Sequence, residues 1–218
     1  MAPELSYAGA LEEMRVILAT DRFVVIDKPS GLLSVPGKGE HKQDCVPARV
    51  KKLFPHATGP LVVHRLDMET SGLLVLGLDA GAQRELSGQF ERRETEKRYI
   101  ALLRGDVAQD QGEVSLPIRP DIDNRPYQIV DHVHGRVAIT RYRVLSREID
   151  RTRVEFTPVT GRSHQLRVHA ALGMGCPIVG DVLYGDGEGE RLMLHAAELG
   201  FREPGTQRWV EARSPAPF

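Results

Sequence analysis

The chain has 218 residues, of which 41% are hydrophobic and 27% charged, close to the average for soluble globular proteins. This balance excludes collagen-like and coiled-coil classes, and a domain of this length buries roughly 70% of its unfolded surface. The net charge of −1 gives no overall sign of a polyanionic partner. Two widely separated cysteines, Cys45 and Cys176, and the lack of a long apolar run predict a cytoplasmic protein without a membrane span.

The first half of the chain predicts a β-hairpin, a helix, two short buried strands and a second helix. Runs of β-branched residues indicate the strands, and apolar residues at helical spacing indicate the helices. Pro47 fits the first turn of the first helix with Asp44 as its cap, and Asp79 is placed to cap the second. In chain order these elements are strands 15–20 and 23–27, helix 45–54, strands 60–63 and 73–78, and helix 80–92.

The second half predicts mainly strands, interrupted by one long polar segment. Residues 117–136 are rich in proline and too long for an ordinary connection, so we expect a loop that contacts substrate. The regular elements are strands 97–104, 137–145 and 151–157, a helix at 163–172, and a closing hairpin of 192–201 with 207–212. No linker separates domains, and we expect one domain over residues 1–218.

Positive charge is concentrated in one part of the chain. Between Arg136 and Arg167 there are eight arginines and three acidic residues, a local excess of five positive charges. Such a stretch can line a nucleic-acid groove. The alternative is a pair of strands whose arginines face solvent.

The common signatures of nucleotide, hydrolase and metal sites are absent. The chain has no GxxxxGK[ST], no GxGxxG after a strand, no GxSxG and no HExxH. His164 and His169 are five residues apart, a spacing that does not place both on one helical face. The sequence therefore predicts no metal site and no bound cofactor.

Two polar clusters remain as candidates for chemistry. In the first, Asp67 lies beside His64 and Arg65 between a buried strand and a turn that contains Gly72. The second, at a strand-to-helix junction, contains Arg162, Gln165 and Arg167. One interpretation is a carboxylate oriented by guanidinium groups in a cleft that admits a polyanion. The other is a pair of turn and capping motifs joined by a structural salt bridge.

The string HRLDMETSGLLVL at 64–76 resembles the HRLDxxTSGLLV signature of the RluA family of pseudouridine synthases. Further blocks are similar to that family in the same order: KPSGLLSVPG (28–37), KRYIA (97–101), GRSHQLRVH (161–169), GDVLYG (180–185) and RLMLHA (191–196). The resemblance leaves no room for the N-terminal S4-type domain of many relatives. SVPG, DNRP (123–126) and the short length most resemble the dual-specificity branch, which acts on a 23S rRNA hairpin and a tRNA anticodon stem-loop.

The resemblance implies an α+β fold: a mixed, mostly antiparallel sheet in two halves flanked by helices, with the catalytic cleft between them. It implies that Asp67 is the catalytic carboxylate, that Arg167 pairs with it, and that Tyr99 lies near the base and helps to remove the C5 proton. The reaction needs neither cofactor nor metal, and the expected partner is RNA, bound by a monomer.

RNA contacts are expected from four residues. Arg65 matches the family arginine that fills the stack vacated by the flipped base. Because they belong to the two polar clusters, we also expect contacts from His64, Arg162 and Gln165. Leu194 and Ile178 are candidates for apolar walls around the base.

Two other functions fit part of the pattern. A glycosidase would use Asp67 and Glu69 as a carboxylate pair at an anomeric carbon. A non-catalytic RNA-binding module would need only the arginine-rich stretch. Mutation of Glu69 separates the first alternative from pseudouridine synthesis, which requires a single carboxylate.

Overall fold

The structure is a computed structural model and describes residues 14–39 and 42–218. Its described residues form a single ten-stranded sheet with short helices packed on both faces. The strands are β1 (Arg15–Ala19), β2 (Phe23–Lys28), β3 (Ser71–Gly77), β4 (Glu96–Arg104), β5 (Gln111–Pro120), β6 (Gln128–Val130), β7 (Arg136–Glu148), β8 (Arg151–Pro158), β9 (Leu194–Arg202) and β10 (Trp209–Arg213). The helices are α1 (Val46–Leu53), α2 (Ala80–Arg92) and α3 (Gln165–Val168), which continues into a π-helical turn over His169–Gly173.

The strand order is β1-β2-β3-β9-β4-β8-β7-β5-β6, and β10 pairs with the far end of β9. Among the described strands, the β3–β9 pair alone is parallel, and it consists of Ser71 opposite His195 and Gly72 opposite Ala196. This short junction joins two antiparallel halves of the sheet. The predicted mixed, mostly antiparallel sheet in two halves is confirmed.

Central strands are buried on both faces because helices cover both sides. On one face of β2, Val24 and Ile26 pack with Val50 of α1. On the other face, Phe23 packs in a cluster with Leu86 of α2. Side chains alternate along a strand, so one apolar run supplies two separate cores. That is why β2 and β3 read as continuous apolar segments rather than alternating ones.

Helix α2 begins where its sequence predicts, and α1 differs in its cap. The Asp79 carboxylate accepts the backbone N–H of Ala82 at 2.8 Å and also binds the Arg22 guanidinium. The cap of α1 is not Asp44, because that carboxylate forms a two-pronged ion pair with Arg49 at 2.8 and 2.6 Å. An ion pair inside the first turns thus replaces the predicted cap.

Two predicted segments differ from the structure. Residues 60–63 form no strand: only Val62 bridges to Leu76, and Leu61 has a left-handed backbone with φ of 60°. The predicted loop 117–136 contains the end of β5, all of β6 and the first residue of β7, so its irregular parts are reduced to 121–127 and 131–135. Pairing with neighbouring strands orders the proline-rich segment into a hairpin.

Candidate active site

A cleft of about 580 Å³ lies where the two halves of the sheet meet. Three segments form its walls: the loop that precedes β3, the end of α2 with the start of β4, and the turn from β8 into α3. All seven predicted site residues line it: His64, Arg65, Asp67, Tyr99, Arg162, Gln165 and Arg167. Leu194 also lines the cleft as predicted. Ile178 does not, because it is buried in the core beneath Leu103.

A buried lysine holds the loop that carries Asp67. The Lys28 ammonium donates to the carbonyl oxygens of Pro29, Leu32 and Met68 at 2.8 to 2.9 Å, which uses its three N–H groups. The Lys28 side chain is fully buried, and burial lowers its pKa to about 7, against the opposing effect of nearby carboxylates. Lys28, the first residue of the KPSGLLS block, therefore fixes the loop from its buried side.

Hydroxyl groups of the same block add further contacts to this loop. Ser34 Oγ donates to the Leu66 carbonyl at 2.7 Å and accepts the Leu66 N–H at 3.1 Å. Ser30 Oγ donates to the Glu69 carbonyl at 2.7 Å. The backbone on both sides of Asp67 is thereby held, and its carboxylate remains in the cleft with 19% of the side chain exposed.

Asp67 faces aromatic and basic neighbours. Burial, together with the Asp67 charge, raises the pKa of Tyr99, so the free enzyme holds a neutral phenol. Nε2 of His164 lies 4.0 Å from Asp67 Oδ1. Sequence reasoning missed His164 as a site residue, although it lies inside the GRSHQLRVH block.

Arg167 is buried at 1% exposure and is held by a different carboxylate from the one predicted. Its Nε and Nη2 donate to Asp181 at 2.8 and 2.6 Å, and Nη1 lies 3.6 Å from Glu69 Oε2 without a hydrogen bond. The direct Asp67–Arg167 pair is therefore corrected to an Arg167–Asp181 fork. Arg167 still contributes a fixed positive charge behind Asp67, because the planar fork sets its orientation.

The predicted contact of Gln165 with RNA is also corrected. Its amide nitrogen donates to the Ile139 carbonyl and to Thr140 Oγ1, and its oxygen accepts from Thr160 Oγ1 and the Arg162 N–H. These four bonds use the whole capacity of the amide. Gln165 therefore positions the turn that presents Arg162, and it has no donor left for a ligand.

His64 forms part of the wall as a neutral ring. It stacks on Phe90 with centroids 4.1 Å apart, and Nε2 accepts the Val75 N–H at 3.2 Å. Burial lowers the pKa of His64 to about 3, with the nearby Lys97 charge acting in the same direction. His64 therefore offers a ring surface and no positive charge.

Four cations without an acidic partner line the described cleft, and among them only Arg162 belongs to the arginine-rich stretch. Arg65 is exposed and has no hydrogen bond or ion pair with the described residues, and Arg162 lines the opposite wall. Sequence reasoning missed Arg93 and Lys97. Lys97 lay within the quoted KRYIA block, whereas Arg93 is presented by a left-handed backbone at the end of α2, which no motif signals.

Acidic partners neutralise three of the arginines on β7. Arg141 pairs with Glu113 at 3.1 Å and Arg143 with Glu155 at 3.2 Å. Arg147 binds carboxylates of the β4–β5 connection at 3.0 and 2.7 Å. These arginines fit the alternative interpretation, a pair of strands whose arginines face solvent, because strand pairing brings the acids in from other segments. Only Arg162 and Arg167 of this stretch reach the cleft.

Residues 22–172 match the family model described as RNA pseudouridylate synthase. The chain belongs to the RNA pseudouridylate synthase family. It is 47% identical over 203 residues to the Dual-specificity RNA pseudouridine synthase RluA of Pasteurella multocida (strain Pm70), covering 91% of each chain. It is 48% identical over 195 residues to the protein of the same name from Yersinia pestis, covering 87% of this chain and 93% of the relative.

A solved structure agrees with this family assignment. The human RNA Pseudouridylate Synthase Domain Containing 1 superposes with a TM-score of 0.79 at 29% identity, covering 100% of this chain and 87% of the human chain. The fold class and the enzyme class predicted from the sequence are thereby confirmed. The protein is an RNA pseudouridine synthase, an isomerase that converts uridine in RNA into pseudouridine.

Two further observations concern the described residues alone. Within 14–39 and 42–218, no group of three His, Cys, Asp or Glu side chains is arranged to hold a metal ion. None of the helices in this part of the chain has the length and apolar character needed to cross a membrane.

Proposed function

We propose that this enzyme isomerises uridines in structured RNA stem-loops and that Asp67 is the carboxylate that acts on the flipped nucleoside. The observation that supports this most directly is the position of Asp67, partly exposed in the cleft while backbone contacts fix its loop on both sides. Of the carboxylates in the described residues, only Asp67 and the α2 residue Glu91 line the cleft.

The chemistry requires no second substrate. The N1–C1′ bond of uridine breaks, a C5–C1′ bond forms, the C5 proton leaves and N1 takes up a proton, so the product is an isomer of the substrate. Asp67 acts on the ribose as a nucleophile at C1′ or as a base, and both roles need the free carboxylate.

Tyr99 fits a place beside the uracil ring. Its phenol is neutral while Asp67 carries its charge, because burial and that charge both raise the Tyr99 pKa. If Asp67 forms a covalent bond to the nucleoside, its charge is lost and one of the two causes disappears. The Tyr99 pKa then falls and its phenolate forms more readily, and the phenolate is the form that can accept the C5 proton as a general base.

RNA enters the proposed cleft with its target base flipped out of the stack, at a cost of a few kcal/mol. The unpaired, exposed guanidinium of Arg65 supports its role in filling the vacated place, since a planar cation can stack and hydrogen-bond at once. Arg93, Lys97 and Arg162 are the proposed phosphate contacts on the walls.

The relatives named dual-specificity support two classes of RNA substrate for this enzyme. We propose that these are the two that the sequence resemblance implies, a 23S rRNA hairpin and a tRNA anticodon stem-loop. We propose that it acts as a monomer, since residues of one chain form the whole cleft. A cytoplasmic location agrees with the two buried free thiols, Cys45 and Cys176.

The geometry disfavours a glycosidase. The Glu69 carboxylate does not line the cleft, and it lies 3.6 Å from Arg167 Nη1. A glycosidase would need that carboxylate to face the same sugar as Asp67.

The test compares Asp67→Asn with its matched control Glu69→Gln. RNA labelled with tritium at uridine C5 releases tritium when pseudouridine forms. We expect Asp67→Asn to abolish release and Glu69→Gln to retain most of it, with RNA affinity measured and a melting curve recorded for each preparation. Release by a folded Asp67→Asn protein at a near-wild-type rate would overturn the proposal, and equal losses in both variants would favour a carboxylate pair.

A further inference from the structure

His164 lies at the start of α3 with a left-handed backbone, at φ of 52°, a conformation that His and Asn adopt more readily than most residues. This backbone turns the imidazole toward Asp67, with Nε2 at 4.0 Å from Oδ1. Both side chains are nearly buried, at 13% and 19% exposure. At this distance the two atoms are adjacent but are not hydrogen-bonded in the free protein.

Tyr184 contacts the ring nitrogen of His164 that does not face Asp67. The backbone N–H of Gln128 donates to Tyr184 Oη at 2.7 Å, and Oη lies 2.8 Å from His164 Nδ1. A backbone N–H can only donate, so it occupies one acceptor site of Oη and leaves the Oη hydrogen available to donate to Nδ1. The imidazole then carries its hydrogen on Nε2, the atom that faces Asp67.

The imidazole acts as a neutral group. Burial lowers the pKa of His164, the charge of Asp67 opposes this, and the charge of Arg167 adds to it. Near neutral pH the ring therefore offers one N–H donor to the carboxylate rather than a second positive charge behind it.

We propose that His164 is a positioning residue, whose Nε2–H holds Asp67 Oδ1 in its reactive orientation while Tyr184 fixes the tautomer. This inference rests on the proposed catalytic role of Asp67. A movement of about 1 Å when RNA binds shortens the contact to a hydrogen bond, as is common for catalytic contacts that are long in free enzymes. Arg167 does not take this role, because its fork is already held by Asp181.

Two amide substitutions separate the nitrogen that faces Asp67 from the one that faces Tyr184. In His164→Gln the side-chain amide nitrogen can occupy the place of Nε2 and donate to Asp67. In His164→Asn the amide is one carbon shorter and reaches only the place of Nδ1, while asparagine suits the left-handed backbone. The Asn variant therefore removes the donor and keeps the conformation of the turn.

We expect His164→Asn to lower the single-turnover rate on saturating stem-loop RNA by about 10- to 100-fold, the scale of a misplaced reacting group. RNA affinity should stay within about twofold of wild type, because the donor faces a carboxylate and not a phosphate. His164→Gln should recover most of the lost rate. Equal losses in both variants, or an unchanged rate in His164→Asn, would overturn the inference.

Tyr184→Phe gives a second, independent test, because it removes one oxygen and leaves the ring in place. We expect it to slow turnover in the wild-type background and to have no further effect in the His164→Asn background, since the tautomer no longer matters there. If the rate losses of the two single variants multiply in the double variant, the proposed coupling of Tyr184 to Asp67 through His164 is wrong. Asp67→Asn, assayed in parallel, keeps the two proposals apart: activity in that variant refutes the proposed function, whereas an unaffected His164→Asn refutes only this inference.

Discussion

Two buried cationic side chains support the site through fixed polar contacts. Lys28 binds three carbonyl oxygens beneath the Asp67 loop, and Arg167 is locked by the Asp181 carboxylate. Removing one partner of a buried ion pair leaves an uncompensated charge, at a cost of about 3–5 kcal/mol. These residues therefore support the position of Asp67 rather than contact the nucleoside.

The proposed role of Arg65 can be tested by substitution. Arg65→Ala should slow the reaction on a folded stem-loop more than on a short unstructured RNA of the same target sequence. The reason is that only the stem-loop loses stacking when its base flips. Rates on the two RNAs measure the difference, and equal losses would assign Arg65 to the fold or to Asp67 instead.

The sequence did not predict which hydrogen-bond and ion-pair partners these side chains have. The motifs predicted Asp67 and Arg167 as site residues but did not show that Asp181 takes the guanidinium fork, because three carboxylates from two separate segments surround Arg167. Gln165 was predicted to bind RNA because its neighbours are cationic. Its amide is saturated by atoms on β7 and the β8–α3 turn, and only the folded chain brings these together.

Among the strand pairs, the short parallel pair of β3 and β9 matters most for the position of the site. It joins the two halves of the sheet directly after the Asp67 loop. Gly72 has φ of 111°, and a Cβ there would overlap the Ala196 backbone on β9. The left-handed backbone and the close approach both require glycine at this position.

Gly72→Ala should therefore destabilise the protein more than Gly31→Ala, its matched control. Gly31 also has a left-handed backbone, at φ of 82°, but a Cβ there meets nothing within 4 Å. We expect a loss in the free energy of unfolding of about 1 kcal/mol for Gly31→Ala and at least twice that for Gly72→Ala. Denaturant titration measures both, and equal losses would mean that the contact with β9 is unimportant.

Local signals predicted most elements well. The Asp79 cap and the apolar spacing that follows it located α2, and the alternating runs located the hairpins of β1 with β2 and β9 with β10. Residues 60–63 were predicted as a strand because they are apolar. Leu61 is buried, but its left-handed backbone limits pairing with β3 to the single Val62–Leu76 bridge, a tertiary property that the local pattern does not contain.

Positive charge is distributed over the whole molecule in a way that composition does not show. Arginines on β7 pair with acids from neighbouring strands, whereas the cations of the cleft come from segments far apart in the chain. A net charge of −1 is therefore compatible with an RNA-binding cleft.

The salt dependence of RNA binding distinguishes these two groups of arginines. Arg162→Gln or Arg93→Gln should reduce the slope of log affinity against log salt by roughly 0.7 to 0.9, the share of one phosphate contact. Arg141→Gln, the matched control on β7, should leave the slope unchanged because its partner is Glu113. Titrations at several salt concentrations measure this, and a smaller slope for Arg141→Gln alone would place the RNA on the β7 face.

The most direct test of Asp67-dependent isomerisation is a nucleotide-resolution map of pseudouridine in total RNA. Cells that lack the protein would be complemented with the wild-type chain or with Asp67→Asn at equal expression. We expect specific stem-loop uridines to lose the modification without the protein, to regain it with the wild-type chain and to stay unmodified with Asp67→Asn. Restoration of the same sites by Asp67→Asn would contradict the proposed mechanism.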